Sequence, residues 1–366
     1  MLGQRALNRA LLERQLLLRR ADMPVQAALE HLVGLQAQAP MPPYYALWSR
    51  LEGFEPHELG RMLTDREAVR LTLMRGTVHL VTVRDALALR PLLQHVVERA
   101  HNGAFGRRMS GVDPARLPAA VDELLEKEPL TARELGRRLV ARGIGEDVEA
   151  VGNATRVYAP LVQVPPRGVW GAGGQAKYTR LESWTGRELE VEPSLEDMIL
   201  RYLGAFGPAS VRDMQNWSGL TRLKAVFEEL RPRLATFRDE EGRELFDLPH
   251  APRPRCNVPA PPRFLGEYDN VLLGHADRRR IIPRDFAWEE MLAPGRSANN
   301  LLVDGMLRAT WWIERQGKRQ ATLAIRPFLE LSPAEHAEIA AEARRMIDFA
   351  ASDVDNRDMR FEPAVD

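Results

Sequence analysis

One plan recurs along this chain: several short amphipathic helices, then a pair of short apolar or β-branched segments around a turn. Neither a short helix nor a hairpin can bury its apolar face alone, so such sets must fold as packed tandem modules. In the first copy, Leu7, Leu11, Leu12, Leu16 and Leu18 keep helical spacing over residues 4–20. A second helix is expected over 24–35, with Pro24 in its first turn, where a missing N–H costs nothing. Ala39-Pro40-Met41-Pro42-Pro43 forbids continued helix, and further helices are expected over 44–51 and 54–63. Residues 69–74 and 77–81 read as a hairpin turning at Arg75-Gly76. Helices closed by a hairpin are the plan of a winged helix.

The plan returns twice. Helices are expected over 117–127, from 129 onward and over 147–161, and Thr131 with Glu134 has the spacing of a capping box. Strands over 162–164, 168–170 and 177–181 complete that copy. The third begins at Ser194, with helices to 206 and over 221–230 and a hairpin of 233–237 with 243–247. A repeat of roughly 80 residues is longer than a solenoid unit and points to tandem domains. Proline-rich residues 249–262 separate these modules from a region that alternates apolar and polar residues over 300–303, 306–314 and 320–325. There Ser332 caps a helix to about residue 351. The predicted organisation is α+β: winged helices over 1–110, 111–190 and 191–250, then a small β-rich domain with a terminal helix over 263–366.

Composition narrows the function. With 45% hydrophobic and 28% charged residues, the 366-residue chain can bury sizeable cores. No apolar run reaches the roughly 18 residues of a membrane span. The N-terminal segment carries charge throughout, unlike a secretory signal, so a cytoplasmic, nucleoid-associated monomer is expected. Cys256 is the only cysteine, which excludes intrachain disulfides and cysteine zinc clusters. Metal-ligand spacings, phosphate loops and nucleophile elbows are absent from the sequence, so neither metal nor cofactor is expected. A formal net charge of zero does not mark an indiscriminate nucleic-acid binder, and the distribution of arginine has to decide.

Tandem winged helices suggest DNA, and on architecture alone a transcriptional regulator without catalysis is one reading. The other rests on Gly34-Leu35-Gln36-Ala37-Gln38-Ala39-Pro40, where two amides one residue apart project together from an expected helix end. Amides do not titrate, yet their carbonyl oxygens can orient water and stabilise a developing cation. That suffices only where the leaving group is already activated. An N7- or N3-alkylated purine carries a positive charge and leaves without protonation.

Gly34-Leu35-Gln36-Ala37-Gln38-Ala39-Pro40, Tyr44-Tyr45-Ala46-Leu47-Trp48, Met74-Arg75-Gly76-Thr77-Val78-His79 and Tyr268-Asp269-Asn270-Val271-Leu272-Leu273-Gly274-His275 occur in this order. The chain thereby resembles the AlkZ and YcaQ family of bacterial DNA glycosylases over nearly its whole length. The resemblance implies three winged helices in a C-shaped cradle for duplex DNA. It also implies a Gln-x-Gln catalytic pair, here Gln36 and Gln38, in the AlkZ branch; the YcaQ branch has Asp at the second position. Monofunctional hydrolysis of alkylpurine adducts in double-stranded DNA, bulky adducts and interstrand crosslinks included, is the implied activity. Arg75 and His79 in the first hairpin, with His275 and the Arg278-Arg279-Arg280 run, are the further candidates for contacting DNA. Tyr44 and Trp48 are expected in the core, and Trp311-Trp312 should point to opposite faces of a strand.

Overall fold

A computed structural model describes residues 1–283 and 298–364. The first module opens with helices Gln4–Arg14, Val25–His31, Pro42–Arg50 and Pro56–Thr64. Its hairpin pairs strand β2 (Ala68–Thr72) with β3 (Val78–Thr82), Val69 opposite Val81. The helix expected over 24–35 stops at His31, because Val33 and Gly34 turn the chain with φ of 55° and 86°. Only glycine fits at the second position, where a Cβ would lie 2.5 Å from Val81 Cγ1. Leu35–Gln36 then forms β1 along β3, with Gln36 opposite His79. The glutamine motif therefore sits on an edge strand and not, as expected, at a helix end.

The second module contributes helices Leu117–Leu125, Ala132–Val140 and Val148–Tyr158 with strands β4 (Leu130–Thr131), β5 (Leu161–Gln163) and β6 (Lys177–Arg180). The Thr131–Glu134 capping box forms, closing two otherwise orphaned N–H groups at the helix start. Residues 168–170 form no strand; Val169 N–H turns back to the Pro166 carbonyl. β5 pairs with β2, placing Arg70 opposite Gln163, so both modules share one six-stranded sheet ordered β1-β3-β2-β5-β6-β4. Helices Leu195–Phe206, Val211–Ser218 and Lys224–Leu230 follow, with a separate hairpin of β7 (Ala235–Arg238) and β8 (Glu244–Asp247).

The last region is a five-stranded sheet built from β9 (Arg263–Leu265), β10 (Asn299–Val303), β11 (Met306–Gln316), β12 (Gln320–Pro327) and β13 (Asn356–Phe361), in the order β13-β12-β11-β10-β9. Helix Pro333–Ala350 is capped by Ser332 and Glu335. Trp311 fills the core while Trp312 stays half-exposed with its Nε1–H on Glu314. Packing then crosses the modules. Leu29, Tyr44, Leu47 and Leu59 of the first module share a core with Phe264, Trp311, Ile325 and Ile339 of the C-terminal sheet and helix. Leu11, Leu71 and Val81 share another with Tyr202, Phe206 and Trp217 of the third. The second module keeps a core of its own, built by Leu117, Val121, Leu124, Leu135 and Tyr178.

Candidate active site

Gln36 is buried on β1, and its Oε1 accepts a 2.6 Å hydrogen bond from Arg75 Nη2. Arg75 stands in the turn between β2 and β3 in the left-handed region (φ 56°), and its Nη1 donates to the Trp217 carbonyl of the third module. Two residues on, Gln38 is exposed, and its Oε1 accepts from the Val78 backbone N–H at 2.8 Å. Between them the Ala37 carbonyl accepts from Arg70 Nη2 at 2.6 Å. Because each glutamine oxygen already faces a donor, the orientation of both amides is settled. Among the described residues, one lone pair of each oxygen and both NH2 groups have no further partner.

Arg70 and Arg75 have no carboxylate partner among the described residues. Burial lowers each guanidinium to about 10, with Arg167 adding to the effect on Arg70 and Arg278 on Arg75. Both remain cations at neutral pH. The glutamine segment is thus held by two positive groups.

A second stretch closes over it. Gly266 abuts the start of helix Pro42–Arg50, where a Cβ would lie 2.8 Å from the Pro42 carbonyl oxygen. Asp269 receives both Nη groups of Arg50 at 2.7 and 2.8 Å, a fully buried pair. Asn270 Nδ2 donates to the Gly34 carbonyl at 3.0 Å, clamping the turn that leads into β1. Gln36, Pro42, Glu267, Tyr268 and Asn270 line a cavity of about 10 Å³, room for one water molecule.

The other expected DNA contacts are placed differently. His79 is buried opposite Gln36 on β3, and its Nδ1–H donates to the Thr77 carbonyl at 3.0 Å. Burial, helped by Arg75, pushes its pKa down to about 3. His275 is buried as well, with Nε2–H on the Phe206 carbonyl at 3.0 Å, and burial with Arg280 brings it to about 3. Arg280 is buried with Nη1 on the Pro208 carbonyl. Arg279 is engaged by Asp277 and Glu241. In this structure His79, His275 and Arg280 are buried with hydrogen bonds to backbone carbonyls, and Arg279 is paired with two carboxylates. Arg278 is half-buried and lines a cleft of about 720 Å³ that also carries Asp213, Asp239 and Asp277, and Gln36 is not among its lining residues. Sequence reasoning assigns no role to Arg70 or Glu267, and Asn270 enters it only as part of a family signature. A charged residue inside the apolar run Val69-Arg70-Leu71 is the one local signal that points to the first of them.

The two neutral histidines carry a stability consequence. Their folded pKa values lie below the ordinary value near 6.5, so the unfolded chain binds protons that the folded chain refuses. Their contribution is complete above about pH 6.5 and declines as pH falls towards 3, by up to ~1.4 kcal/mol per pH unit for each. Urea unfolding should show a lower midpoint at pH 5 than at pH 7.5. An unchanged midpoint would contradict the buried neutral state.

A family model described as DNA glycosylase AlkZ-like matches residues 29–349. The chain belongs to the AlkZ-like DNA glycosylase family. It is therefore an enzyme acting on DNA, which decides against the regulator reading. The interstrand DNA cross-link repair glycosylase of Streptomyces sahachiroi is 27% identical over 345 residues, covering 87% of this chain and 88% of that protein. The solved DNA glycosylase AlkZ of Streptomyces sahachiroi superposes with a TM-score of 0.75 at 21% identity, covering 98% of this chain and 99% of that one. The second likeness confirms the mixed helix-and-sheet fold. Among the described residues no group of three or more acidic, histidine or cysteine side chains could hold a metal ion, and no helix is long and apolar enough to cross a membrane.

Proposed function

We propose that this glycosylase hydrolyses the N-glycosidic bond of N7- and N3-alkylated purines in double-stranded DNA, with Gln36 and Gln38 at the reaction centre, leaving an abasic site. The carrying observation is the fixed pair of neutral amides on β1 and just beyond it. Groups that cannot protonate a leaving base suit a base that is already cationic. Their part is to orient water and the sugar, which is largely electrostatics and positioning. The exposure of Gln38 favours bulky adducts and crosslinks, which a closed pocket would reject. The cross-link repair activity for which the Streptomyces sahachiroi relative is named points the same way.

Duplexes carrying N7-methylguanine, a bulky N7 adduct or an interstrand crosslink should yield alkali-labile abasic sites when incubated with the protein. Cleavage at the spontaneous rate for all three would remove this reading. Arg75 acts through Gln36, so Arg75→Ala should lower the single-turnover rate by about 10²-fold, the loss that a misplacement of roughly 1 Å brings. An unchanged rate in that variant would show that Gln36 needs no such anchor.

A further inference from the structure

Gln36 Oε1 is turned towards a cation, Arg75, and an oxygen so engaged is a weak counter-charge for a positively charged sugar. Arg70, the other charged group on the segment, is positive too. Glu267 supplies the opposite sign. It is half-buried, and it lines the water-sized cavity beside Gln36. Its backbone is fixed from both sides: Glu267 N–H donates to Asn299 Oδ1 at 3.1 Å, and Gly266 before it abuts Pro42. Tyr268 after it adopts φ 59°, a conformation that a bulky residue takes only where its surroundings enforce it. Asp269 is spent on Arg50, so it is not the available carboxylate. Among the described residues no hydrogen bond or ion pair engages the carboxylate of Glu267.

We infer that Glu267 is the general base and counter-charge of the reaction, resting on the alkylpurine reading above. As the C1′–N bond breaks, its electron pair leaves with the purine and cancels the positive charge of the base. The oxygen of a water in the cavity bonds to C1′, and one of its protons passes to the Glu267 carboxylate. Gln36 orients that water, and the negative charge of Glu267 offsets the charge that builds on the sugar.

Single-turnover excision of N7-methylguanine, duplex affinity and thermal unfolding should be measured together for the unsubstituted protein, Glu267→Gln and Glu267→Ala. Glu267→Gln is expected to lose about 10²-fold in rate with its affinity and unfolding temperature retained. Formate should restore rate to Glu267→Ala in a concentration-dependent way, whereas chloride at equal ionic strength should not. A full rate in Glu267→Gln, a loss matched by weakened DNA binding, or a loss that formate does not relieve would each overturn the assignment. In those cases excision by the unsubstituted protein still stands for the alkylpurine reading. Absence of excision by the unsubstituted protein overturns both.

Discussion

Replacing Gln38 by alanine should cut the single-turnover excision of an alkylated purine on the order of 10²- to 10³-fold, the effect of removing one preorganised polar group from a reaction centre. The variant is informative because it leaves the fold almost untouched. Gln38 is exposed, and its one described hydrogen bond, from Val78 N–H, contributes about 1 kcal/mol. Duplex affinity, followed by fluorescence anisotropy, should stay close to that of the unsubstituted protein. Gln36→Ala is a less clean test, since that side chain is buried and its loss frees Arg75. Undiminished excision by Gln38→Ala would show that water and sugar are positioned by other groups.

Asp269→Ala should destabilise the protein by about 3–5 kcal/mol, because it leaves the fully buried Arg50 guanidinium without its partner. Replacing both residues by apolar ones of similar volume should cost much less, since no charge is then stranded. The single variant should also slow excision, because the pair fixes the stretch that carries Glu267 and Asn270 onto the glutamine segment. Urea unfolding of Asp269→Ala at pH 7.5 gives the stability term, and an unchanged midpoint would mean that water reaches Arg50.

Local pattern carried much of the architecture. The capping boxes at Thr131 and Ser332, the hairpin strands around Arg75-Gly76 and three strands of the C-terminal sheet follow from propensity and periodicity within a few residues. β1, β4 and β9 escaped, being two or three residues long, and β13 is polar over its first half, with only Met359 and Phe361 alternating inward. Pattern says less about where charge ends up. The Arg278-Arg279-Arg280 run and the two histidines look like a phosphate grip in sequence, yet most of them are turned inward or paired.

By itself the sequence carried the family signature and the pair of glutamines, because each is written in neighbouring residues. Only the tertiary structure decided what surrounds that pair: Arg75 on Gln36, Trp217 behind Arg75, and Glu267 with Asn270 brought over from much further along the chain. The reason is physical. Periodicity reports which face of an element is apolar, whereas the partner of a buried polar group is chosen by how distant elements pack and by the cost of leaving that group unpaired.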